Sequence, residues 1–319
     1  MPRFANYSPE GVIPAVLLPF KADYSIDVDA FSKHLLDVAS VEGVTALTLN
    51  AHSTEVSSCS FDEQRRVLEL SLEVLGDRLP IVNGIYADGS FEAQRIARMA
   101  TQMGASGLLV FPPSVFRNGQ RPEMAVEHFR RIAEVTDLPL VLFQYPLASG
   151  QGYPLATLLK IVEAVPSLRA IKDGCASPEQ HERHIRTLQE LPRPVNVLST
   201  HSAWLFSSLV MGCNGLLSGS GSVIADLQAR LYRAIKADDL VSARALNTRI
   251  RATSTVFYAE PRTDMHNRMK EALVLMGKLQ CAAVRPPLVK LPGDEIQRIK
   301  QALIQAGLLA PDGRARRAA

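Results

Sequence analysis

The chain has 319 residues, 47% of them hydrophobic, and a formal net charge of +3 at pH 7. That length allows one large α/β barrel or two ordinary domains, and the apolar content is ample for a core. Basic residues are scattered except for Arg314, Arg316 and Arg317 near the end. We therefore expect no nucleic-acid partner and interpret residues 310–319 as a flexible basic tail.

The sequence favours a cytoplasmic protein without a membrane span. No segment approaches ~18 uninterrupted apolar residues, and the apolar run near the N-terminus is short and interrupted by prolines, unlike a signal peptide. Four well-separated cysteines form no C-x-x-C pair, which is typical of reduced thiols. They are Cys59, Cys175, Cys213 and Cys281.

Apolar runs that favour strands alternate with helical patterns along the chain. The predicted strands are Gly11–Phe20, Gly43–Asn50, Leu79–Tyr86, Gly107–Pro113, Leu138–Pro146, Leu168–Gly174, Val195–Thr200 and Gly215–Ser220. Runs that are apolar throughout indicate strands buried on both faces. Two helix starts are marked by "SFDE" at Ser60, a capping box, and by "SPEQ" at Ser177, with proline at the first helical position.

Eight successive βα units predict an α/β fold, a closed (β/α)8 TIM barrel over residues 1–223. An open doubly wound sheet is the alternative, but no G-x-G-x-x-G follows the first strand and no length remains for a second domain. After Ser222 the pattern is helical almost to the end. This predicts a C-terminal helical appendage of about three helices over residues 224–309.

Active-site residues of such a barrel lie at the carboxyl ends of its strands, where Lys172 ends the sixth apolar run. Burial there lowers the pKa of an ammonium group, and a neutral amine can attack a ketone to form a Schiff base. Spacing alone leaves open a lysine that is merely solvated at a strand end. Gly219 and Gly221 in "SGSGS" indicate either backbone close to a ligand or a flexible loop.

Four segments together resemble the dihydrodipicolinate synthase/N-acetylneuraminate lyase family of Schiff-base-forming pyruvate aldolases. They are "GVTALTLNAHSTE" (43–55), "LVLFQYP" (140–146), "AIKDG" (170–174) and "VRPPLVKL" (284–291). The likeness extends to about Leu309, essentially the whole chain. It implies a lysine Schiff base at Lys172, a 2-oxo acid substrate, no cofactor or metal, and a homo-oligomer, either a tetramer or a dimer.

The chain departs from the family at the position that normally carries a proton-shuttling tyrosine, which is Phe143 here. Tyr145 lies two residues on, so strand alternation returns it to the same face as a possible hydroxyl, or as a packing aromatic. In the family's G-T-T-G-E loop, His52 replaces the first threonine, either as an acid or base or in a structural role. Ser53 keeps a hydroxyl where the family holds a pyruvate-like carboxylate.

The resemblance to the family also implies roles for the remaining candidate site residues. Thr54, Phe143, Ser218 and Gly219 are expected to bind substrate with Ser53, while Glu55 is a structural partner of its loop. Ala148 stands where synthases that condense aspartate semialdehyde carry an arginine. The family's P-Y-Y after the fourth strand is replaced by "PSV" at 113–115. We therefore expect a protein that is not a true dihydrodipicolinate synthase.

The leading hypothesis is a class I lyase or aldolase acting on pyruvate or a related 2-oxo acid, with Lys172 as nucleophile and His52 or Tyr145 moving protons. A dehydratase of a sugar-derived 2-oxo acid fits the same residues. A second hypothesis is a non-catalytic relative that binds 2-oxo acids, because the shuttle tyrosine is missing. A third is a metal-dependent aldolase using His52, Glu55 and His201.

Overall fold

Eight parallel strands form one sheet in this computed structural model, which describes residues 4 and 6–315. Each strand lies inside one of the predicted runs. The strands are β1 (Gly11–Pro14), β2 (Leu47–Leu49), β3 (Ile81–Ile85), β4 (Gly107–Val110), β5 (Leu140–Gln144), β6 (Leu168–Asp173), β7 (Asn196–Ser199) and β8 (Gly215–Ser218). Their order is β1-β8-β7-β6-β5-β4-β3-β2, and β1 also bridges β2 at Val12–Val44 and Ala15–Thr48. The sheet closes into the predicted barrel, not a doubly wound sheet.

Side chains of alternate strand positions fill two separate layers. Ile13, Leu109 and Leu217 belong to a cluster inside the barrel. Their chain neighbours Val12 and Leu108 belong to the larger cluster that the surrounding helices cover. Because successive strand side chains point to opposite faces, both sets are removed from water. This burial explains why the runs are apolar throughout.

A helix follows each strand, and the predicted caps begin two of them. Glu63 N–H donates to Ser60 Oγ at 3.2 Å and Ser60 N–H donates to Glu63 Oε2 at 2.9 Å, while Gln180 N–H donates to Ser177 Oγ at 3.3 Å. The barrel helices are α1 (Val28–Ala39), α2 (Phe61–Leu75), α3 (Ser90–Met103), α4 (Pro122–Ala133), α5 (Leu155–Ala164), α6 (Pro178–Leu188), α7 (Leu205–Val210) and α8 (Gly221–Lys236). The domain boundary predicted after residue 223 thus lies inside α8, because this helix begins directly after β8.

The C-terminal appendage consists of α9 (Leu240–Phe257), α10 (Met265–Leu275) and α11 (Gly293–Gln305). Arg268 of α10 is fully buried and ties the appendage together, since its Nε donates to Glu295 Oε1 of α11 at 2.5 Å. Of the predicted basic tail, Arg314 is exposed and lies outside regular secondary structure, whereas Arg316 and Arg317 lie outside the described residues. No helix in the described part of the chain is long and apolar enough to cross a membrane.

The close packing of β2 against β3 leaves no room for a side chain at Gly84. A Cβ at this position would lie 1.9 Å from the Asn50 carbonyl oxygen. We expect Gly84→Ala to lower the free energy of unfolding by about 1–3 kcal/mol or more, because the backbone must shift. Urea denaturation measures the change. Gly89→Ala, where a Cβ meets no atom within 4 Å, is the control, and equal stability of the two variants would contradict this packing.

Candidate active site

A cavity of about 440 Å³ lies at the carboxyl ends of the barrel strands. Strand ends, the loops after β6 and β7, and the appendage all contribute to its walls. The predicted site residues that line it are His52, Ser53, Phe143, Tyr145, Lys172 and Gly219. The structure thus brings these six predicted residues together around one cavity.

Lys172 on β6 carries a buried amine that has no counter-ion among the described residues. Its side chain is 6% exposed, and its Nζ lies 4.1 Å from the centroid of the Phe143 ring on the neighbouring strand. Within residues 4 and 6–315 it makes no ion pair or hydrogen bond, and burial lowers its pKa from 10.5 to about 7. A substantial fraction of the amine is therefore uncharged and nucleophilic near neutral pH.

Tyr145 and His52 form a polar pair beside this amine. Tyr145 Oη lies 3.2 Å from His52 Nε2, and the rings of Tyr145 and Phe143 are 4.6 Å apart. Burial and, next, the Lys172 charge lower the pKa of His52 to about 3, while burial raises the pKa of Tyr145. Near pH 7 the pair is thus a neutral imidazole and a neutral phenol joined by one hydrogen bond.

The loop after β2 separates two hydroxyls that the sequence groups together. Ser53 lines the cavity, and its buried Oγ has no hydrogen-bond partner in the described part of the chain. Thr54 does not line the cavity. Its Oγ1 instead accepts from Ala51 N–H at 2.9 Å and donates to Ala51 O at 2.8 Å. Ser53 is free to bind a ligand, whereas Thr54 shapes the turn.

The residues at the end of β8 and after it also differ in whether they line the cavity. Gly219 lines the cavity, and a Cβ there would lie 3.3 Å from His266 Nε2. Ser218 lies outside the lining, with its Oγ accepting from Gln228 Nε2 at 3.2 Å. A Cβ at Gly221 would lie 3.1 Å from Pro14 Cα, so this glycine serves packing against β1. Only the first of the two predicted glycines brings backbone to the cavity.

Glu55 anchors the β2 loop to the C-terminal appendage. Its backbone is left-handed, with φ of 51°, and its buried carboxylate pairs with Lys270 Nζ of α10. The other carboxylate oxygen accepts from Arg285 N–H at 3.0 Å. Arg285 belongs to the segment "VRPPLVKL", and its side chain also pairs with Glu63 at 2.5 Å. These bonds hold the loop that presents His52 and Ser53.

The metal ligands proposed from the sequence do not come together, because Glu55 pairs with Lys270 while His52 and His201 line the cavity. A different buried group exists, in which ligand atoms of Asp173, Cys175, His181 and His201 lie within 4.8 Å of one another. Asp173 Oδ2 is 2.8 Å from the Nδ1 atoms of both His181 and His184. Burial alone would raise the pKa of Asp173, but these hydrogen bonds hold it well below its usual value. Hydrogen bonds thus explain the contacts of Asp173 with these two histidines, with Asp173 as the anion.

Among the lining residues that are missing from the sequence prediction, five have large side chains. They are Trp204, which follows β7 by five residues, and Tyr258, Arg262, Met265 and His266 from α9, α10 and their connection. Burial lowers the pKa of His266 well below its usual value, so its imidazole is neutral. The strand-end rule finds none of the four appendage residues, because they reach the cavity from helices remote in sequence.

The fold and this site define a (β/α)8-barrel protein with a buried lysine on its sixth strand. A sequence model of the family described as "Dihydrodipicolinate synthetase family" matches residues 8–306. The chain therefore belongs to the dihydrodipicolinate synthetase family, whose enzymes are class I lyases.

Sequence similarity to individual relatives extends over nearly the whole chain. The 4-hydroxy-tetrahydrodipicolinate synthase of Gluconacetobacter diazotrophicus is 28% identical, over 94% of this chain and 98% of the relative. That of Kineococcus radiotolerans is 30% identical, over 93% of each chain. A prophage protein of the same family from E. coli K12, solved in complex with pyruvate, has a TM-score of 0.86 at 24% identity, over 95% of this chain and 100% of its own. This structural likeness supports the fold.

Replacing Lys270 should destabilise the protein because Glu55, its partner, would keep a buried negative charge. Lys270→Met leaves the Glu55 carboxylate buried and unpaired, so we expect the free energy of unfolding to fall by about 3–5 kcal/mol in urea denaturation. Lys160→Met removes an exposed pair with Glu123 at 3.8 Å and should cost about 0–1 kcal/mol. Effects of equal size would show that the buried pair does not anchor the loop.

Proposed function

We propose that the protein is a Schiff-base-forming lyase acting on pyruvate or a related 2-oxo acid, with Lys172 as the nucleophile. One observation carries the proposal: the Lys172 amine is buried in the cavity wall without a carboxylate or hydrogen-bond partner among the described residues. A lysine with a structural role would instead pair with a carboxylate, as Lys270 does with Glu55. The pyruvate in the E. coli relative agrees with this substrate class.

The neutral Lys172 amine attacks the keto carbon of the 2-oxo acid to give a carbinolamine. Protonation of the carbinolamine hydroxyl and its loss as water then give a protonated imine. The imine withdraws electrons from the neighbouring carbon. Loss of a proton there, or cleavage of the next carbon–carbon bond, leaves an enamine. The unpartnered hydroxyl of Ser53 binds the substrate carboxylate in this scheme, across the barrel from Lys172.

Tyr145 and His52 move the protons that the family's shuttle tyrosine would move, because the phenyl ring of Phe143 cannot. Across their 3.2 Å contact the phenol gives its proton to the substrate and regains one from the imidazole N–H, and the imidazole is then reprotonated at its other nitrogen. General acid–base catalysis of this kind contributes typically ~10²–10⁴-fold in rate.

Condensation with aspartate semialdehyde is not the proposed reaction. Ala148 is exposed and carries no charge where that reaction uses an arginine. Of the lining residues, Lys172 and Arg262 carry the cationic groups, and Arg262 already pairs with Glu260 at 3.3 Å. A second substrate carboxylate therefore has no dedicated partner. The homo-oligomer and the cytoplasmic location stay predictions.

Trapping with borohydride tests the proposal. We expect pyruvate and borohydride to add one reduced pyruvyl group to Lys172, located by peptide mapping, and we expect no adduct on Lys172→Met at the same dose. Absence of any adduct with pyruvate and other 2-oxo acids would contradict the lyase and favour a non-catalytic binding relative.

The role of Tyr145 can be separated from that of Lys172. We expect Tyr145→Phe to slow exchange of the pyruvate C3 protons with deuterated water by ~10²-fold or more, followed by NMR, while borohydride still traps the imine. Tyr86→Phe is the matched control, since the Tyr86 ring also packs against His52, with the two ring centroids 5.8 Å apart. Equal exchange rates in the two variants would exclude Tyr145 as the proton carrier.

A further inference from the structure

A group of four buried polar side chains adjoins the cavity. This buried polar group consists of Asp173, Cys175, His181 and His201, and one ligand atom of each lies within 4.8 Å of the others. None of the four residues is more than 7% exposed. Carboxylate, thiolate and imidazole are the usual ligands of zinc in proteins.

Hydrogen bonds account for only half of the buried polar group. They join Asp173 to His181 and His184. The His201 ring, in contrast, has one polar contact among the described residues, from its Nε2 to Cys175 Sγ at 3.8 Å. A thiol is a weak hydrogen-bonding group, and burying an imidazole with so little compensation costs free energy. The second half of the group therefore calls for a different partner.

The separations between ligand atoms are close to those of a tetrahedral zinc site. Zinc holds sulfur at ~2.3 Å and nitrogen at ~2.0 Å, which places two such ligands roughly 3.6 Å apart. Cys175 Sγ and His201 Nε2 are 3.8 Å apart. Asp173 Oδ2 and His181 Nδ1 are 2.8 Å apart and need to separate by about 0.5 Å. The widest pair, at no more than 4.8 Å, needs to close by about 1 Å.

The hydrogen bonds around His181 leave one of its nitrogens for an ion. Ser208 Oγ donates to Ser199 Oγ at 2.5 Å, so it accepts from His181 Nε2 at 2.7 Å. His181 Nδ1 then faces Asp173 as the ligand atom, while His184 keeps its own hydrogen bond to that carboxylate. Outer hydrogen bonds of this kind orient metal ligands and raise their affinity.

His201 and Cys175 connect the buried polar group to the cavity. The His201 ring stacks on Trp204, with centroids 3.9 Å apart and planes 17° apart, which fixes the plane in which Nε2 faces the thiol. Gly174 and Ala176, on either side of Cys175, line the cavity together with His201. An ion therefore has a short path from the cavity to the group.

We propose that the buried polar group binds one Zn²⁺ ion. The thiol proton of Cys175 and the Nδ1 proton of His181 leave as the ion binds, so that the thiolate and the Asp173 carboxylate balance its two positive charges. A thiolate and two imidazoles favour zinc over Mg²⁺ and Ca²⁺, which prefer oxygen ligands. Four protein ligands close the coordination shell, so the ion is structural and takes no part in imine formation at Lys172. The family resemblance, by contrast, implies no metal.

Metal analysis tests the proposal. We expect the untagged protein, stripped with a chelator and dialysed against Zn²⁺, to retain one zinc per chain. Cys175→Ser and His201→Gln should each weaken binding by ~100-fold or more, because each removes a ligand. Ser208→Ala should weaken it by ~10-fold, because it removes an outer hydrogen bond. Cys281→Ser, which removes an exposed thiol, is the control and should bind zinc like the unchanged chain.

Cobalt gives a readout that identifies the ligands. We expect Co²⁺ to produce a thiolate-to-cobalt charge-transfer band that is absent in Cys175→Ser. Zn²⁺ should raise the melting temperature of the unchanged chain by mass action, but not that of Cys175→Ser. Absence of zinc from the dialysed protein, or equal binding by the unchanged chain and Cys175→Ser, would overturn the proposal. Cys175→Ser is nearly isosteric, so it decides the outcome even if His201→Gln does not fold. The borohydride adduct on Lys172 is expected with or without zinc, so its absence would contradict the proposed function alone.

Discussion

The site depends on one constraint, which is that the Lys172 amine is removed from water and no negative charge among the described residues balances it. The barrel imposes it, because a side chain directed inward from β6 is enclosed by its neighbours, here Phe143 on β5 and Leu198 on β7. Desolvation favours the neutral form of an amine. Lys270 shows the alternative, since it is also buried but is paired with Glu55.

The two lysines therefore have different roles in this account, with Lys172 as the proposed nucleophile and Lys270 as a structural residue. The Lys270–Glu55 pair fastens α10 to the β2 loop, where Glu55 adopts left-handed backbone and Arg285 N–H contributes a further bond. Strained backbone persists where its surroundings fix it firmly. The fixed loop presents His52 and Ser53 across the barrel from Lys172. The Lys270–Glu55 pair therefore supports the proposed reaction by holding this loop in place.

The sequence was most informative where a local pattern determines the outcome. Unbroken apolar runs predicted all eight strands, and the position of Lys172 at the end of one run predicted its place in the cavity. Thr54 and Ser218 show the limit of this reasoning, because whether a hydroxyl faces a ligand or its own backbone depends on one turn's geometry. His266 shows a second limit, because it reaches the cavity from a helix that is remote in sequence and so leaves no local signal.

The pH dependence of imine formation at Lys172 tests the central claim most directly. Only the neutral amine attacks, so the rate of trapping by pyruvate and cyanoborohydride should fall as pH drops below the pKa of Lys172 and level off above it. The account predicts a midpoint near pH 7, at the lowered pKa of about 7. A rate that keeps rising toward the ordinary lysine pKa of 10.5 would show that the amine is solvated and contradict the account.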